Sequence, residues 1–150
     1  MSVRGISFDV NGSEECILQH ILNNIDVNEL YWIISEDEVY SNEGKKFFNE
    51  KYIDGNTFVS KINETSYLLI FANIKAYSDA SRLDNIRDYD NFLKSNCQLI
   101  ILCSDMFNYE IYCKSESMIE AIKDNCFKEG YRKIEYITDD NDCRVVLSVE

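Results

Sequence analysis

Histidine, glycine and basic residues are all scarce in this sequence, and each scarcity argues against a class of functional site. The chain has one histidine, His20, and no Cys-x-x-Cys pair, so it lacks the ligand spacing of a structural zinc site. Its five glycines stand apart from one another, which argues against a glycine-rich phosphate-binding loop. No Gly-x-Ser-x-Gly motif marks a nucleophilic serine. We therefore expect no metal ion, no cofactor and no catalytic residue of a recognisable type.

Basic residues number 15 against 27 acidic ones, which gives the 150-residue chain a formal net charge of −12. A surface with this charge repels phosphate groups, so binding to nucleic acid or to an anionic membrane is disfavoured. The same charge attracts a basic protein partner, although it also serves solubility alone.

Long apolar runs are missing as well. No stretch approaches the ~20 apolar residues of a membrane-spanning helix, and residues 1–5 lack the apolar core of a secretion signal. We therefore expect a cytoplasmic protein whose six cysteines stay reduced and behave as small apolar residues. Cys103 and Cys113 lie in strand-like runs, and Cys126 lies on an apolar helix face, as that interpretation requires. Cys103 could act with His20 as a nucleophile, but a buried structural thiol is the favoured interpretation.

Alternating or continuous apolar residues, separated by turn residues, indicate that much of the chain is strand. The predicted strands cover residues 5–10, 30–34, 39–40, 67–72, 99–103, 109–113, 131–138 and 143–149. The runs at 67–72 and 99–103 are apolar enough to be central strands covered on both faces. We expect 30–34 to pair with 39–40, and residues 41–56 to be irregular. Short turns join several strands, so the pairing is expected to be mostly antiparallel.

Helical spacing of apolar residues predicts helices over 13–24 and 117–129. Ser13 and Ser117 are the expected N-caps, Glu120 has the spacing that completes a capping box after Ser117, and Gly130 is placed to end the second helix.

Two shorter segments also have helical character. Phe58 and Ile62 fit a short helix, although they fit a strand as well, and Asp88 is placed to cap another short helix through Phe92. The predicted fold is one α+β domain over residues 1–150, in which a single, mostly antiparallel sheet has two or three helices packed against it.

The densest polar cluster is the turn Asp139-Asp140-Asn141-Asp142, which is followed by Arg144. Its oxygen ligands suit Ca²⁺, but the glycine and the glutamate of an EF-hand loop are missing, so a solvated loop is the favoured interpretation. Asp139, Asp140, Asp142 and Arg144 are nevertheless candidates for binding a partner. Asp105, in the turn after a central strand, is a further candidate.

Tyr31 and Trp32 are the most notable neighbours in a chain that is 13% aromatic. Aromatic side chains beside acidic ones can form the energetic centre of an interface with a basic partner. The alternative, which we favour, is that these side chains fill the core.

Several ordered segments together resemble a known family. They are Arg4 to Asp9, Tyr67 to Ala72, Lys75 to Tyr77, Cys97 to Leu99, Ile111 to Lys114, Glu135 to Asp139, Arg144, and Leu147 to Val149. These segments are similar to the small bacterial proteins grouped as domain of unknown function 2691. The resemblance covers nearly the whole chain and implies a single-domain bacterial protein of similar length. It implies no activity, ligand or catalytic residue.

Two hypotheses of function follow from the sequence. In the first, the protein is a small acidic binding module that acts through a basic protein partner, and an immunity-type protein that neutralises a basic toxin is one version. In the second, it is a small-molecule enzyme or ligand sensor with a carboxylate-lined pocket at the strand ends near Asp105 and residues 138–142. Homodimerisation through a strand edge or through Tyr31 and Trp32 is a further alternative.

Overall fold

The computed structural model describes residues 2–12, 14–64 and 66–149. Within these residues the strands are β1 (Val3–Asp9), β2 (Tyr31–Ser41), β3 (Tyr52–Asp54), β4 (Tyr67–Tyr77), β5 (Cys97–Ser104), β6 (Asn108–Cys113) and β7 (Arg132–Thr138). The helices are α1 (Ile17–Ile21), α2 (Gly55–Glu64), α3 (Tyr89–Lys94) and α4 (Glu116–Glu129). None of the helices in the described part of the chain has the length and apolar character needed to cross a membrane.

The seven strands form one antiparallel sheet in the order β3-β2-β4-β5-β6-β1-β7. Four helices pack against it, so the predicted α+β fold is confirmed, with more helices than the two or three expected. β5 is the middle strand, and its residues from Leu99 to Cys103 are all buried. The continuous apolar run therefore marks a central strand covered on both faces, as the sequence predicts.

The two faces of the sheet are covered differently. α1, α2 and α4 pack on one face, here called the helical face, over side chains such as Phe8, Trp32 and Ile101. The opposite face, here called the second face, carries Ile100, Leu102 and other side chains that alternate with those of the helical face. It is covered by α3 and by residues 143–149, here called the C-terminal segment.

β1 lies between β6 and β7, far in the sequence from both neighbours. Gly5 makes this insertion possible, because a Cβ atom there would lie 1.8 Å from the carbonyl oxygen of Ile111 on β6. The chain therefore needs glycine at this point for the backbones to approach closely.

The predicted strand over 143–149 is wrong. Its alternation is real, since Leu147 and Val149 are buried on the second face. However, backbone N–H groups of this segment form their hydrogen bonds outside the ladder of the sheet. Val149 N donates to Oδ1 of Asn73 at 2.8 Å, and Leu147 N donates to the carbonyl of Arg87 at 2.9 Å. A buried side chain that accepts a backbone hydrogen bond has replaced a neighbouring strand.

The predicted pairing of 30–34 with 39–40 is also wrong, because both belong to β2. An irregularity between Ser35 and Val39, where Glu36 has a φ of 47°, lets β2 bend and continue its ladder with β4. The region 41–56, expected to be irregular, contributes the short edge strand β3 and the start of α2. The helical alternative for Phe58 and Ile62 is confirmed by α2.

The helix ends agree with the residues predicted to cap them, except at the starts of α1 and α4. Asp88 caps α3 and Gly130 ends α4 with a φ of 74°, as predicted. α4 is capped by Ser115, whose hydroxyl accepts from Met118 N, and not by Ser117. α1 is much shorter than 13–24, because Cys16 in a left-handed conformation prevents an earlier start. The expected cap Ser13 lies outside the described residues.

Candidate functional site

A cleft of about 800 Å³ opens on the second face where β6, β1 and β7 lie side by side. Its polar lining includes Ser7, Asp9, Asn108, Glu110, Lys133, Glu135, Asp142, Arg144 and Ser148. The C-terminal segment covers the neighbouring part of this face and forms one wall of the cleft.

The floor of the cleft carries a row of carboxylates. Ile6 and Phe8 are buried on the helical face, so Ser7 and Asp9 point to the second face. Ser7 lies directly opposite Glu110 on β6 and Glu135 on β7. Two carboxylates therefore flank one small hydroxyl across three adjacent strands.

Two basic side chains offset part of this charge. Lys133 Nζ lies 3.6 Å from Asp9 Oδ2, and the Lys133 side chain is largely exposed. Arg144 pairs with Glu110 from the wall of the cleft. Together with Asp9 and Glu110, the exposed Glu135 makes three carboxylates on the floor of the cleft. The arrangement is suited to hold a cationic group, because these three acids outnumber the two bases and the fourth acid of the lining, Asp142, is paired with Arg4.

Arg144 holds the C-terminal segment, which forms the wall of the cleft, against β6. Its guanidinium donates to Oε1 of Glu110 through Nε at 3.1 Å and Nη2 at 2.6 Å, and to the carbonyl of Ser148 through Nη1 at 2.7 Å. Burial alone would lower the pKa of Arg144, but the hydrogen bond to Glu110 raises it, so the guanidinium stays charged. The side chain of Arg144 therefore contacts both the backbone of its own segment and a side chain of β6, and it links the two.

Asp142 joins the wall to the centre of the second face. Its side chain is almost fully buried and accepts from Arg4 Nη1 and from the hydroxyl of Tyr112, both at 3.0 Å. The Arg4 guanidinium also lies 4.1 Å from the ring centre of Tyr89. Burial, followed by the nearby Asp142 carboxylate, raises the pKa of Tyr112, so this hydroxyl remains a donor. Both carboxylate oxygens of Asp142 therefore accept hydrogen bonds from within the protein.

The other candidates of the acidic turn lie beside the cleft. Asp139 Oδ1 accepts from the backbone nitrogen of Ser2 at 2.9 Å, and this hydrogen bond lowers the pKa of Asp139. Asp140 is exposed, and its backbone nitrogen donates to Oγ1 of Thr138. Asp105 is exposed in the left-handed turn between β5 and β6 and does not line the cleft.

Tyr31 and Trp32 lie elsewhere, on β2, which is separated from β6 by β4 and β5. Trp32 is fully buried on the helical face and stacks on Phe58 with 3.8 Å between ring centres. Tyr31 is half-buried at the start of the strand. The candidate residues therefore do not form one surface: Asp142 and Arg144 reach the cleft, and the aromatic pair does not.

The three cysteines predicted to be buried are buried and do not line the cleft. Cys103, Cys113 and Cys126 are buried, as the sequence predicts. Burial raises the pKa of the Cys103 thiol to about 11, so it is protonated at neutral pH. Cys143 is exposed and lies in the cleft wall.

Ser7, Asp9, Glu110 and Glu135 were not recognised in the sequence. Each occupies a polar position in an alternating strand, which is typical of any solvent-facing side chain. Only the registers of β1 with β6 and β7 bring them together.

Comparisons with known proteins agree with the resemblance found in the sequence. A family model described as a protein of unknown function, DUF2691, matches residues 3–148. An uncharacterised protein of Bacillus subtilis (strain 168), YncE, is 27% identical over 151 residues, which span 97% of this chain and 99% of the relative. No solved structure shows significant similarity to the chain. Since the family model spans nearly all of the sequence, the chain belongs to the DUF2691 family of proteins of unknown function.

Proposed function

We propose that the protein is a binding module of the cytoplasm whose cleft receives a basic segment of a protein partner. The observation that carries the proposal is the row of Glu110 and Glu135 on either side of Ser7, inside a concave surface. The net charge of −12 adds a field that speeds the approach of a basic partner. An immunity-type protein that neutralises a basic toxin is one version of this function.

Glu135 and Asp9 are the groups best placed to contact a partner. Glu135 is exposed, and Asp9 is a quarter exposed and contacts the largely exposed ammonium group of Lys133. A lysine or arginine side chain entering the cleft would displace Lys133 from Asp9 and form charge-assisted hydrogen bonds to both acids. Glu110 is already paired with Arg144, and its carboxylate adds to the negative charge of the cleft floor.

A second candidate is a small cationic ligand, as an enzyme substrate or a sensed molecule. The observation that favours it is the volume of about 800 Å³, which falls within the range typical of small-molecule sites. The polar lining and open shape favour a protein segment instead, since small-molecule pockets are mostly apolar.

Amide-resonance mapping separates the two. The protein would be titrated with a peptide of alternating lysine and arginine and, separately, with argininamide. The first candidate predicts shifts centred on Ser7, Asp9 and Glu135 with the peptide, weakened in Glu135→Gln and unchanged in Asp124→Asn, a matched loss of one exposed acid on α4. If argininamide shifts the same resonances and saturates them at the same concentration as the peptide, the small ligand would be favoured. Shifts scattered over all acidic surfaces would contradict both.

A further inference from the structure

A separate polar cluster lies on the helical face, where α1 packs on the end of α4. His20 Nδ1 lies 3.6 Å from Glu14 Oε1 and 3.4 Å from Glu129 Oε1. One possible ligand atom from each of the three side chains lies within 4.8 Å of the other two. We propose that Glu14, His20 and Glu129 form a binding site for a divalent transition-metal ion, with Zn²⁺ as the ion to test.

The two separations measured from the imidazole of His20 suit a common metal ion. Zn²⁺ binds imidazole nitrogen and carboxylate oxygen at about 2.0–2.2 Å in a tetrahedron, whose edges are then about 3.3–3.6 Å long. The two distances from His20 Nδ1, 3.6 and 3.4 Å, have this length. Three protein ligands leave the fourth position for water, as in zinc sites that perform chemistry or bind a ligand.

The charges at the cluster favour a cation. Glu129 is the last residue of α4, where the negative end of the helix dipole disfavours a carboxylate. A second carboxylate, Glu14, lies within 4.8 Å of it. Among the residues that the structure describes, both acids contact the same imidazole, that of His20. A divalent ion at the centre would compensate both carboxylates at once.

The helices that carry the ligands are fixed to each other. Asn125 Nδ2 donates to the carbonyls of Ile21 and Asn23 at 3.0 and 2.9 Å and so clamps the end of α1 to α4. Asn125 precedes Glu129 by one helical turn, so both lie on the face of α4 that meets α1. The position of His20 relative to Glu129 is therefore set before any ion binds.

Tyr131 positions the third ligand. Its ring is buried and stacks on Phe8 with 5.4 Å between ring centres. Its hydroxyl donates to Glu14 Oε1 at 3.1 Å. Such an outer hydrogen bond orients a carboxylate for metal binding, and its loss typically weakens binding about 10–100-fold. Tyr131 is therefore a positioning residue in this proposal.

The sequence alone predicts no metal because the ligands have no short-range motif. Glu14 precedes α1, His20 lies within it, and Glu129 follows more than a hundred residues later on α4. Packing of α1 on α4 brings them together.

Calorimetric titration of the reduced full chain with Zn²⁺ tests the proposal. To exclude the exposed thiol, all proteins carry Cys143→Ser. We expect one ion per chain, and loss of that binding in His20→Ala and in the isosteric Glu129→Gln. We expect binding about tenfold weaker in Tyr131→Phe. Asp124→Asn removes an exposed acid from the same helix and serves as the matched control, with unchanged affinity.

Two further measurements keep the result interpretable. Thermal unfolding without metal shows whether each variant is folded, and Co²⁺ in place of Zn²⁺ reports the ligands by absorption. Tetrahedral Co²⁺ bands without sulfur-to-metal charge transfer support the site. No binding by the folded parent protein would overturn the proposal. Binding that survives both His20→Ala and Glu129→Gln, or that shows thiolate ligation, would overturn it as well.

Discussion

Arg144 places two guanidinium nitrogens on a single carboxylate oxygen of Glu110, at 3.1 and 2.6 Å. Through this contact a segment outside the sheet is fixed to the strand β6 beneath it. The same arginine donates to the carbonyls of Val146 and Ser148, so one side chain links two points of the C-terminal segment to β6. One wall of the acidic cleft therefore depends on this pair.

Replacing Arg144 with alanine is expected to lower the free energy of unfolding by about 1–3 kcal/mol. Two carbonyls and a largely buried Glu110 would lose their charged donor, and unpaired polar groups are costly when shielded from water. Urea denaturation measures the change. Arg82→Ala removes an exposed pair with Asp84 and should change stability by less than about 1 kcal/mol. Equal effects of the two substitutions would contradict the anchoring role of Arg144.

Gly5→Ala tests the insertion of β1 between β6 and β7. The added methyl group would lie 1.8 Å from the backbone oxygen of Ile111, and a backbone atom inside the sheet cannot move aside freely. We expect a loss of about 1–3 kcal/mol or more. Ser7→Ala in the same strand, where the side chain lines the cleft, should change stability little. A fully stable Gly5→Ala protein would show that β1 pairs differently.

Thiol labelling should separate the cysteines by burial. Cys143 is exposed and should react first at slightly alkaline pH. Burial raises the pKa of Cys97, Cys103 and Cys113 to about 11, and these thiols are also inaccessible, so they should react only on unfolding. Cys143→Ser should remove the fastest phase. Rapid labelling of Cys103 in the folded protein would contradict the central position of β5.

Asp54 should stabilise the start of α2 in a pH-dependent way. Its carboxylate accepts from Thr57 N at 2.9 Å and from Thr57 Oγ1 at 2.8 Å, and these hydrogen bonds lower its pKa from the ordinary 3.8. A lowered folded-state pKa means that the stabilisation is present above the unfolded value and is lost as pH falls through the folded value.

The measurement for Asp54 compares Asp54→Ala with the parent protein by urea denaturation. We expect a lower denaturation midpoint at neutral pH and a difference that shrinks as the pH falls below 3.8 and through the lowered folded-state pKa of Asp54. Asp124→Ala, which removes an exposed acid from α4, is the control for loss of one surface charge. A difference that stays constant with pH would mean that the charge of Asp54 plays no part.

Local patterns predicted much of the fold. The apolar runs that became β4 and β5 and the cap at Asp88 depend on neighbouring residues only, and these predictions are confirmed. The C-terminal segment was mispredicted because Leu147 and Val149 alternate as in a strand, while the partner of their backbone is the side chain of Asn73. A side-chain acceptor distant in the sequence leaves no local signal.

The candidate site was predictable only in part for a related reason. Asp142 and Arg144 stand out in a charged turn, and the structure places both at the cleft. Glu110 and Glu135 are ordinary strand residues that meet across Ser7 because β1 lies between β6 and β7. The order of strands depends on contacts across the whole chain, which residue spacing does not encode.

Capture of a partner from a lysate of the source organism tests the proposed function most directly. Immobilised parent protein, Glu135→Lys and Asp124→Lys would be compared at low and high salt, with bound proteins identified by mass spectrometry. Both variants carry the same charge reversal, but only Glu135 lines the cleft. We expect a basic protein that is retained by the parent and by Asp124→Lys, lost with Glu135→Lys, and released by salt. A partner retained equally by all three proteins, or none at all, would contradict it.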